Sequence, residues 1–451
     1  MHETSGSVCE MKDALNRTEE IVRRAKSLGA DEVIAKTIFG RYRQVRFSKN
    51  QVDITVAWND YVTDVALSWK KRFLATQIRN FKDVDANLRK LLELAKLSKE
   101  NPVFGGFAKG FFHYAKSRAD EKIRDLEDLT GYVFEAMNAA EKEAGPQISS
   151  GGILFTKFED VYLVSSEGPM GIDSRSAIEL SIRVFSEREA SGHGVECSST
   201  LRDFNPSRAG MKAGQIAKLA KNPKVGEEGV YDVVFDPLIF GSLLAVWGSM
   251  VSAFNVMVQM SIFVDKLGQR VAPEFVTLKD NPAAYSFANR VFDDEGFPTG
   301  EKTFIDHGIL KTYLHNTSTA KIFKTETTGN AGLVIPTPWN IEMEAGDFTK
   351  DELFKELKRG LYLTNTWYTR FQNYAKGDFS TIPRDGIFLV EKGEIKQPLK
   401  DIRISDNALN MLRNIAGISK ERQHVHWWGE ADPPSLSPYV LIKNVHITKS
   451  K

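Results

Sequence analysis

The spacing of apolar residues in the first quarter of the chain changes from a helical period to a period of two and back. Apolar side chains recur at helical spacing over residues 10–28, and Gly29 follows as a C-cap, so an amphipathic helix is predicted here. From about residue 31 to 79, apolar and polar residues alternate, which predicts a meander of antiparallel strands. Helical spacing returns over residues 84–100, so the meander is predicted to lie between two helices.

The same order of elements recurs in the next hundred residues. Residues 123–144 have a helical pattern, residues 149–187 alternate, and a further helix is predicted from Pro206 onward. This repetition predicts two similar α+β layers, and the Pro and Gly residues of segment 219–231 mark a domain boundary. The predicted domains are an N-terminal α+β domain (1–110), a second α+β domain in the same lobe (111–226) and a C-terminal β-rich domain (227–451).

The second half of the chain is dense in turn signals. The segments 304–315 and 387–398 each place a turn dipeptide ending in Gly between alternating runs, so both are predicted to be β-hairpins. A short helix is predicted from a capping box at Thr349 and Glu352, with Gly360 at its end. The fold class predicted for the whole chain is α+β. Its N-terminal half has antiparallel sheets with packed helices, and its C-terminal half is a barrel-like, β-rich domain with inserted helices.

One apolar run stands out in this half. Residues 236–264 read DPLIFGSLLAVWGSMVSAFNVMVQMSIFV, and no charged residue occurs between Asp236 and Asp265. The run is long enough to cross a bilayer, which takes about 20 apolar residues. It is single, has no flanking cluster of Lys or Arg and follows a strand-like stretch, so a buried helix is favoured and no membrane association is expected. Small residues recur on this helix and would allow close packing, at Gly241, Ala245, Gly248 and Ser252.

Composition and charge exclude several classes of protein. The chain has 451 residues with 60 Lys plus Arg against 59 Asp plus Glu, and no block of like charge is present. Nucleic acid is therefore not an expected partner, because its binding is driven by phosphate neutralisation. The two cysteines, Cys9 and Cys197, are too few for a disulfide framework or a thiolate zinc site. The first residues show no secretory signal, so a cytoplasmic protein is expected.

Histidine is the commonest protein ligand of metals and occurs eight times in this chain. A surface or locally bonded imidazole is expected for the five that have no second ligand nearby, namely His2, His113, His307, His315 and His446. His193 has Glu196 and Cys197 nearby, so a metal site there is an alternative to a locally bonded side chain.

The segment HVHWWGEAD (424–432) offers two histidines two residues apart. In an extended strand, His424 and His426 would point to the same side, as zinc ligands do, and Glu430 or Asp432 could supply an oxygen ligand. The two tryptophans and the following Pro-Pro fit equally a terminal segment packed across a neighbouring surface. Both interpretations stay open, with His424, His426 and Glu430 as the candidate metal ligands.

Three adjacent carboxylates, Asp293, Asp294 and Glu295, precede Gly296 and Pro298. Paired carboxylates can act as general acid and base, but an acidic start with a closing glycine is also turn chemistry. The turn is the favoured interpretation. The sequence contains no GxSxG motif, no Gly-rich phosphate loop followed by Lys, no CxxC pair and no HExxH.

Several segments, spread over nearly the whole chain and in the right order, resemble the TldD/PmbA family. This family was once called modulators of DNA gyrase, and its members are now regarded as peptidases acting on unfolded peptides. The segments are RQVRFSKNQVDITV, SSGGILFTKFEDVYLVSSEG, GVYDVVFDPLIFGSLL, FDDEGFPTGEKTFIDHGILKTYLHN, PTPWNIEMEAGDFTKDELFKELKRGLYLTNTW and IRISDNALNMLRNI. Their number and order carry the resemblance, because no single motif is decisive.

The resemblance gives the apolar run a specific meaning. In the TldD branch, the helix at this place carries HExxxH, two zinc-binding histidines and a water-polarising glutamate, and a C-terminal cysteine completes the site. Laid on that pattern, Ala245 and Val246 stand approximately at the first His and the Glu, and Met250 stands near the second His. None of the three can bind zinc or take a proton, and the C-terminal half contains no cysteine. The resemblance therefore implies the PmbA branch, also called TldE, with no catalytic, cofactor-binding or metal-binding residue of its own.

The family implies a partner as well as an activity. A PmbA-like chain is expected to pair with a TldD-like paralogue that carries the zinc, and the complex is expected to cleave small or unfolded peptides. A homodimer is the alternative assembly. Two other functions stay open, which are a peptide-binding or chaperone-like homodimer without hydrolysis and a hydrolase with a metal site relocated to His424, His426 and Glu430.

Overall fold

The computed structural model describes residues 4–283, 287–427 and 430–450, with the backbone alone described for 4–12. Two sheets with helices packed on them account for most of these residues, so the predicted α+β class is confirmed. The strands of the first half are β1 (Glu32–Ser48), β2 (Gln51–Trp69), β3 (Arg72–Ile78), β4 (Ser149–Ser165), β5 (Met170–Glu187) and β6 (Ala190–Ser198). Its helices are α1 (Thr4–Ser27), α2 (Val84–Leu97), α3 (Glu121–Arg124), α4 (Thr130–Ala144) and α5 (Pro206–Leu219).

The first sheet is antiparallel and curls into a half-barrel. Its strand order is β3-β2-β1-β4-β5-β6, so the predicted meander and the second group of strands meet where β1 pairs with β4. The two predicted α+β layers therefore share a single sheet. Helices α1 and α2 pack on the strands of the first layer, and α4 and α5 pack on those of the second.

Helices α4 and α5 approach each other unusually closely. Two glycines of α5, Gly210 and Gly214, face α4 one helical turn apart. A Cβ atom on Gly210 would lie 2.0 Å from the carbonyl oxygen of Ala136, and one on Gly214 would lie 2.6 Å from that of Ala140. Only glycine permits this contact, which holds α5 close against α4.

The second half forms a larger, mixed sheet. Its strands are β7 (Lys224–Val225), β8 (Gly229–Phe235), β9 (Leu278–Asp280), β10 (Lys302–Asp306), β11 (Ile309–Leu310), β12 (Ile341–Met343), β13 (Arg359–Asn373), β14 (Asp378–Glu391), β15 (Glu394–Lys400), β16 (Ile402–Asn407), β17 (Ile415–Trp427) and β18 (Ala431–Lys449). Its helices are α6 (Pro237–Met250), α7 (Ala253–Met257), α8 (Thr317–Phe323), α9 (Lys350–Glu356) and α10 (Ala408–Arg413). Strand β8 runs between β13 and β18 and leads directly into α6.

Local turn and cap predictions in this half are mostly confirmed. The two predicted hairpins are β10–β11 and β14–β15, and the capping box of Thr349 and Glu352 starts α9. The prediction that Gly360 ends this helix is wrong, because α9 stops at Glu356 and Gly360 lies in β13. A Cβ atom on Gly360 would lie 2.3 Å from the carbonyl oxygen of Asp232, so this glycine serves the close pairing of β13 with β8.

The first half of the apolar run forms a buried helix, α6, as predicted, and the short helix α7 follows it. Helix α6 has 14 residues and is therefore about 21 Å long, short of the roughly 30 Å hydrocarbon core of a bilayer. In the described part of the chain, no helix is long and apolar enough to cross a membrane. The small residues do permit close packing, since a Cβ atom on Gly248 would lie 2.5 Å from Ile341 and one on Gly241 would lie 2.9 Å from Val425.

Candidate functional site

A cleft of about 570 Å³ lies between the two sheets, with β6 on one side and β17 on the other. Helix α5 forms a third wall, and the first residue of α6, Pro237, reaches the cleft. The lining carries both signs of charge, from Glu196, Asp203, Arg208, Lys212, Glu421 and Arg422, together with Cys197, Ser198, Gln423, His424 and Tyr439. The cleft is therefore polar, and it adjoins the start of the apolar helix.

Asp236 is the centre of the hydrogen bonds behind this cleft. It is fully buried, and its Oδ1 accepts hydrogen bonds from the N–H of Leu238 at 3.0 Å and from Lys212 Nζ at 2.6 Å. Its Oδ2 accepts one from the hydroxyl of Tyr362 at 2.8 Å. The carboxylate thereby caps the N-terminus of α6, where negative charge is favourable, and ties α5 to the second half of the chain.

Gln423 extends this network across the floor of the cleft. Its Oε1 accepts a hydrogen bond from Lys212 Nζ at 3.2 Å, and its Nε2 donates one to the carbonyl oxygen of Val195 at 2.7 Å. Strand β17 is thus joined to β6 through a side chain. Sequence reasoning missed Lys212, Asp236 and Gln423, although an Asp-Pro pair at the end of a strand is a helix-start signal that could have identified Asp236 as a cap.

The two candidate histidines of β17 have different surroundings. The strand is extended, as the prediction required, and His424 lines the cleft, where burial lowers its pKa. The Nδ1 atom of His426 instead forms a hydrogen bond with the carboxylate of Glu179, and its ring stacks on Phe287 with centroids 4.2 Å apart. His426 is therefore held by the first sheet.

Glu430, the third candidate ligand, points to another part of the second sheet. Its Oε1 accepts a hydrogen bond from the N–H of Tyr368 at 3.0 Å, and its Oε2 accepts one from the Thr369 hydroxyl at 3.4 Å. Over residues 4–283, 287–427 and 430–450, no group of three His, Cys, Asp or Glu side chains is placed to hold a metal. The structure thus does not assemble His424, His426 and Glu430 into a ligand set, because His424 lines the cleft while His426 and Glu430 are bonded to different neighbours.

The packed-segment interpretation fits the described part of HVHWWGEAD. The ring of Trp427 lies 4.8 Å from His193 and 5.5 Å from Trp367, measured between ring centroids. Val425 belongs to a small apolar cluster with Val195 of the first sheet. Trp428, the second tryptophan of the segment, lies outside the described residues, as does His2 at the N-terminus.

His193 has both ring nitrogens engaged. The Asn365 amide nitrogen donates to Asp385 Oδ2 at 3.1 Å and lies 2.9 Å from His193 Nδ1, so Nδ1 accepts a hydrogen bond. Nε2 therefore carries the proton and donates it to the Ser181 hydroxyl at 2.8 Å. Burial lowers the pKa of His193 to about 4, so the ring is neutral. A ring in this tautomer neither activates the serine nor offers a lone pair to a metal.

The two neighbours of His193 in the sequence are also engaged elsewhere. The carboxylate of Glu196 forms an ion pair with Arg208 and accepts a hydrogen bond from the N–H of Asn205. Cys197 is buried, and burial raises the pKa of its thiol well above the usual range, so the reactive thiolate is disfavoured. The suggested metal site of these three residues is not formed.

The three adjacent carboxylates form a turn, as favoured from the sequence. Asp293 accepts hydrogen bonds from the N–H groups of Glu295, Phe297 and Ala331, at 3.0, 2.9 and 3.0 Å. Burial raises the pKa of Asp293 to about 7 and that of Glu295 to about 8. The turn therefore keeps two carboxyl groups in a setting that disfavours their charge.

Comparison with known proteins identifies the family. Residues 228–449 match the PmbA/TldA metallopeptidase C-terminal domain, and residues 115–221 match the central domain of the same metallopeptidases. Together the two matches cover most of the chain, in the order expected for one protein. The chain belongs to the TldD/PmbA family. In this TldD/PmbA protein the two matched parts meet at the cleft described above.

Curated relatives of this TldD/PmbA protein are named metalloproteases. A metalloprotease of Methanothermobacter thermautotrophicus is 30% identical over 251 residues, 53% of this chain and 54% of that protein. One from Methanocaldococcus jannaschii is 33% identical over 47% of each chain. The matched part thus spans about half the length of these relatives. A zinc metalloprotease TldD homolog of Saccharolobus solfataricus is 28% identical over 67% of this chain and 69% of its own.

Solved structures share the whole fold of this family member. A Thermotoga maritima protein described as a modulator of DNA gyrase superposes with a TM-score of 0.84 and 24% identity, covering 96% of this chain and 99% of its own. TldE from Thermococcus kodakarensis superposes with a TM-score of 0.85 and 19% identity, covering 96% and 100%. These likenesses establish the fold.

The residues of α6 do not fit the zinc ion that the family name implies. Ala245 and Met250 are each 3% exposed, and Val246 packs partly buried against the same apolar core. Alanine and valine side chains have no donor atom, and the thioether of methionine is a poor ligand for zinc.

Proposed function

We propose that this chain is the TldE/PmbA-like subunit, without zinc, of a cytosolic metallopeptidase complex that degrades or processes small or unfolded peptides. The observation that carries the proposal is the apolar packing of α6 around Ala245, Val246 and Met250, which the family resemblance places approximately at the positions of HExxxH. The names of the relatives support a peptidase role for the family. Zinc is accordingly assigned to a TldD-like partner subunit.

In this proposal the cleft between the sheets holds the peptide. Among the described residues, β17 pairs with β18 alone, apart from one bridge between Ser419 and Phe348. Residues 421–424 of this one-sided strand line the cleft. An extended peptide can add to such an edge through main-chain hydrogen bonds, which supply affinity with little sequence preference.

Mixing with a partner tests the subunit role. The purified chain is incubated with a TldD-like paralogue and a fluorogenic unfolded peptide, and cleavage is compared with that by each chain alone. Activity is expected only in the mixture, and a chelator should abolish it. Equal cleavage by the paralogue with and without this chain would contradict the proposal.

The zinc content of the isolated chain provides a separate test. Elemental analysis of tag-free protein, dialysed without chelator, is expected to find no stoichiometric zinc. One zinc per chain would favour the relocated-site hydrolase, and its loss in His426→Ala would locate the metal. Glu274→Ala, a change of an exposed carboxylate, is the matched control.

A peptide-binding homodimer without hydrolysis is the second candidate, favoured by the same one-sided edge of β17 in the cleft. It predicts that the chain alone captures an intact unfolded peptide and that adding the paralogue leaves the peptide uncut. Cleavage in the mixture would reject it.

A further inference from the structure

A second cavity, here called the α5 groove, runs on from the cleft along helix α5. It has a volume of about 270 Å³ and shares Arg208, Lys212 and Tyr439 with the cleft. Its remaining lining residues are Met211, Gln215, Ile216, Leu219, Lys350, Tyr362, Phe388 and Ile395. The two cavities therefore adjoin each other between α5 and the second sheet.

The charged residues that line the α5 groove are all basic. Arg208, Lys212 and Lys350 line it, and none of its lining residues is acidic. Arg208 is paired with Glu196, and Lys212 is paired with Asp236. Lys350 differs, because no residue in the described part of the chain forms an ion pair or hydrogen bond with its ammonium group.

Lys350 is held by aromatic rings instead. Its Nζ lies 4.9 Å from the ring centroid of Tyr439, 5.2 Å from that of Tyr362 and 5.7 Å from that of Phe354. Cation–π contacts of this kind stabilise an ammonium without using its N–H donors. Burial lowers the pKa of Lys350, so a negative group beside this ammonium would favour its charged form. An anion in the groove can therefore accept a hydrogen bond from Lys350.

The other end of the α5 groove is apolar. Met211 and Leu219 of α5 are partly exposed, and they face Phe388 and Ile395 of the second sheet across the groove. A ligand that fills the groove must therefore join an anionic group to apolar groups. The cleft adjoins the basic end of the groove, and its strand edge suits a ligand that continues as a peptide main chain.

We propose that the α5 groove binds the C-terminal carboxylate of an extended peptide, with Lys350 and Tyr439 as its hydrogen-bond donors. The apolar side chain of the last peptide residue lies between α5 and strands β14 and β15. The main chain leads from the carboxylate into the adjoining cleft along β17. The inference rests on the peptide role proposed above and adds the end group that is recognised.

Binding of matched peptides to the full chain tests this assignment. The probe is fluorescein-labelled Gly-Ser-Gly-Ala-Val-Leu, made with a free carboxylate and as the C-terminal amide, and Kd is measured by fluorescence anisotropy. Wild-type protein is expected to bind the acid at least about tenfold more tightly than the amide, the size of one charge-assisted hydrogen bond. Equal Kd values for acid and amide would overturn the proposal without any variant.

Two variants test whether Lys350 causes the preference for the peptide acid over the amide. Lys350→Met keeps the apolar stem on the rings and is expected to weaken the acid to the level of the amide, whereas Lys355→Met, an exposed lysine of the same helix, should keep the preference. An unchanged preference in Lys350→Met would refute the role of this ammonium. Dodecanoate that binds in a Lys350-dependent way while the peptide acid does not would also refute a peptide site.

This result is separable from the subunit role. A preference for the acid with no gain of cleavage on mixing would retain the groove and reject the complex. Gain of cleavage on mixing without a preference for the peptide acid would retain the complex and reject the groove.

Discussion

At the residue scale, the polar side chains that organise this protein find their partners far away in the sequence. Asp385 is bonded to Arg183, 202 residues away, and Asp236 to Tyr362, 126 residues away. A sequence shows that Asp236 and Asp385 are present but not which groups will satisfy them. Burying such carboxylates is tolerable only because these partners are in place.

Glu295 should make stability depend on pH. Its folded pKa of about 8 lies above its ordinary value of 4.5. Stability is therefore highest below pH 4.5, where both folded and unfolded states hold the proton, and falls as pH rises toward 8 because only the unfolded state ionises there. Glu295→Gln is expected to show a smaller fall in thermal midpoint between pH 5 and 8.5 than wild-type protein. The exposed control Glu274→Gln should keep the wild-type profile. An equal fall in thermal midpoint for all three proteins would show that ionisation of Glu295 does not cause the pH dependence.

At the scale of elements, the local spacing of apolar residues predicted most helices, and local capping residues determine where these helices begin and end. One helix was predicted over residues 123–144, but the chain forms α3 and α4 with a break between them. Asp128 explains the break, because its carboxylate accepts hydrogen bonds from the N–H and hydroxyl of Thr130 and so starts a new helix. Apolar residues are buried on both sides of the break, Ile123 in α3 and Leu129 just before α4.

Two glycine substitutions should have opposite effects on stability. Gly210→Ala gains roughly 1 kcal/mol of helix propensity but places a Cβ 2.0 Å from the Ala136 carbonyl oxygen, so a net loss of about 1–3 kcal/mol is expected. Gly131→Ala meets no atom within 4 Å and should stabilise by about 0.5–1 kcal/mol. Urea unfolding of both variants measures the difference. A stabilised Gly210→Ala would show that α4 and α5 can separate at little cost.

At the scale of the whole molecule, two sets of buried polar groups join the sheets. One runs from Lys212 through Asp236 to Tyr362 behind the cleft. The other surrounds Asp385, which accepts hydrogen bonds at 2.6 Å from both Arg183 and Ser191 of the first sheet. The cleft keeps its shape because both of its walls are fixed in this way.

Removing the Asp385 carboxylate should weaken the contact between the two sheets. Asp385→Ala leaves Arg183 without its carboxylate and removes one of the two acceptors of the Asn365 amide. The free energy of unfolding is expected to fall by about 3–5 kcal/mol. Asp347→Ala, at an exposed position, should change it by less than about 0.5 kcal/mol. Guanidinium unfolding, followed by tryptophan fluorescence, measures the free energy of unfolding of both variants. Equal effects of the two substitutions would show that Asp385 does not join the sheets.

The sequence by itself determined the α+β class, the meander, the hairpins, the capping box of α9 and the burial of α6. These features depend on apolar periodicity, turn residues and caps, which act over a few residues. It also identified Ala245, Val246 and Met250 as positions without zinc donors, because donor chemistry is a property of the side chain alone.

Only the tertiary structure decided the candidate site. The lining residues of the cleft come from β6, α5, α6, β17 and β18, and their approach depends on packing between the two sheets. The same packing separated His424, His426 and Glu430, which are close in sequence, and brought Lys350 to the rings of Tyr362 and Tyr439. Long-range packing and the pairing of buried charges follow from the fold as a whole, and no local pattern encodes them.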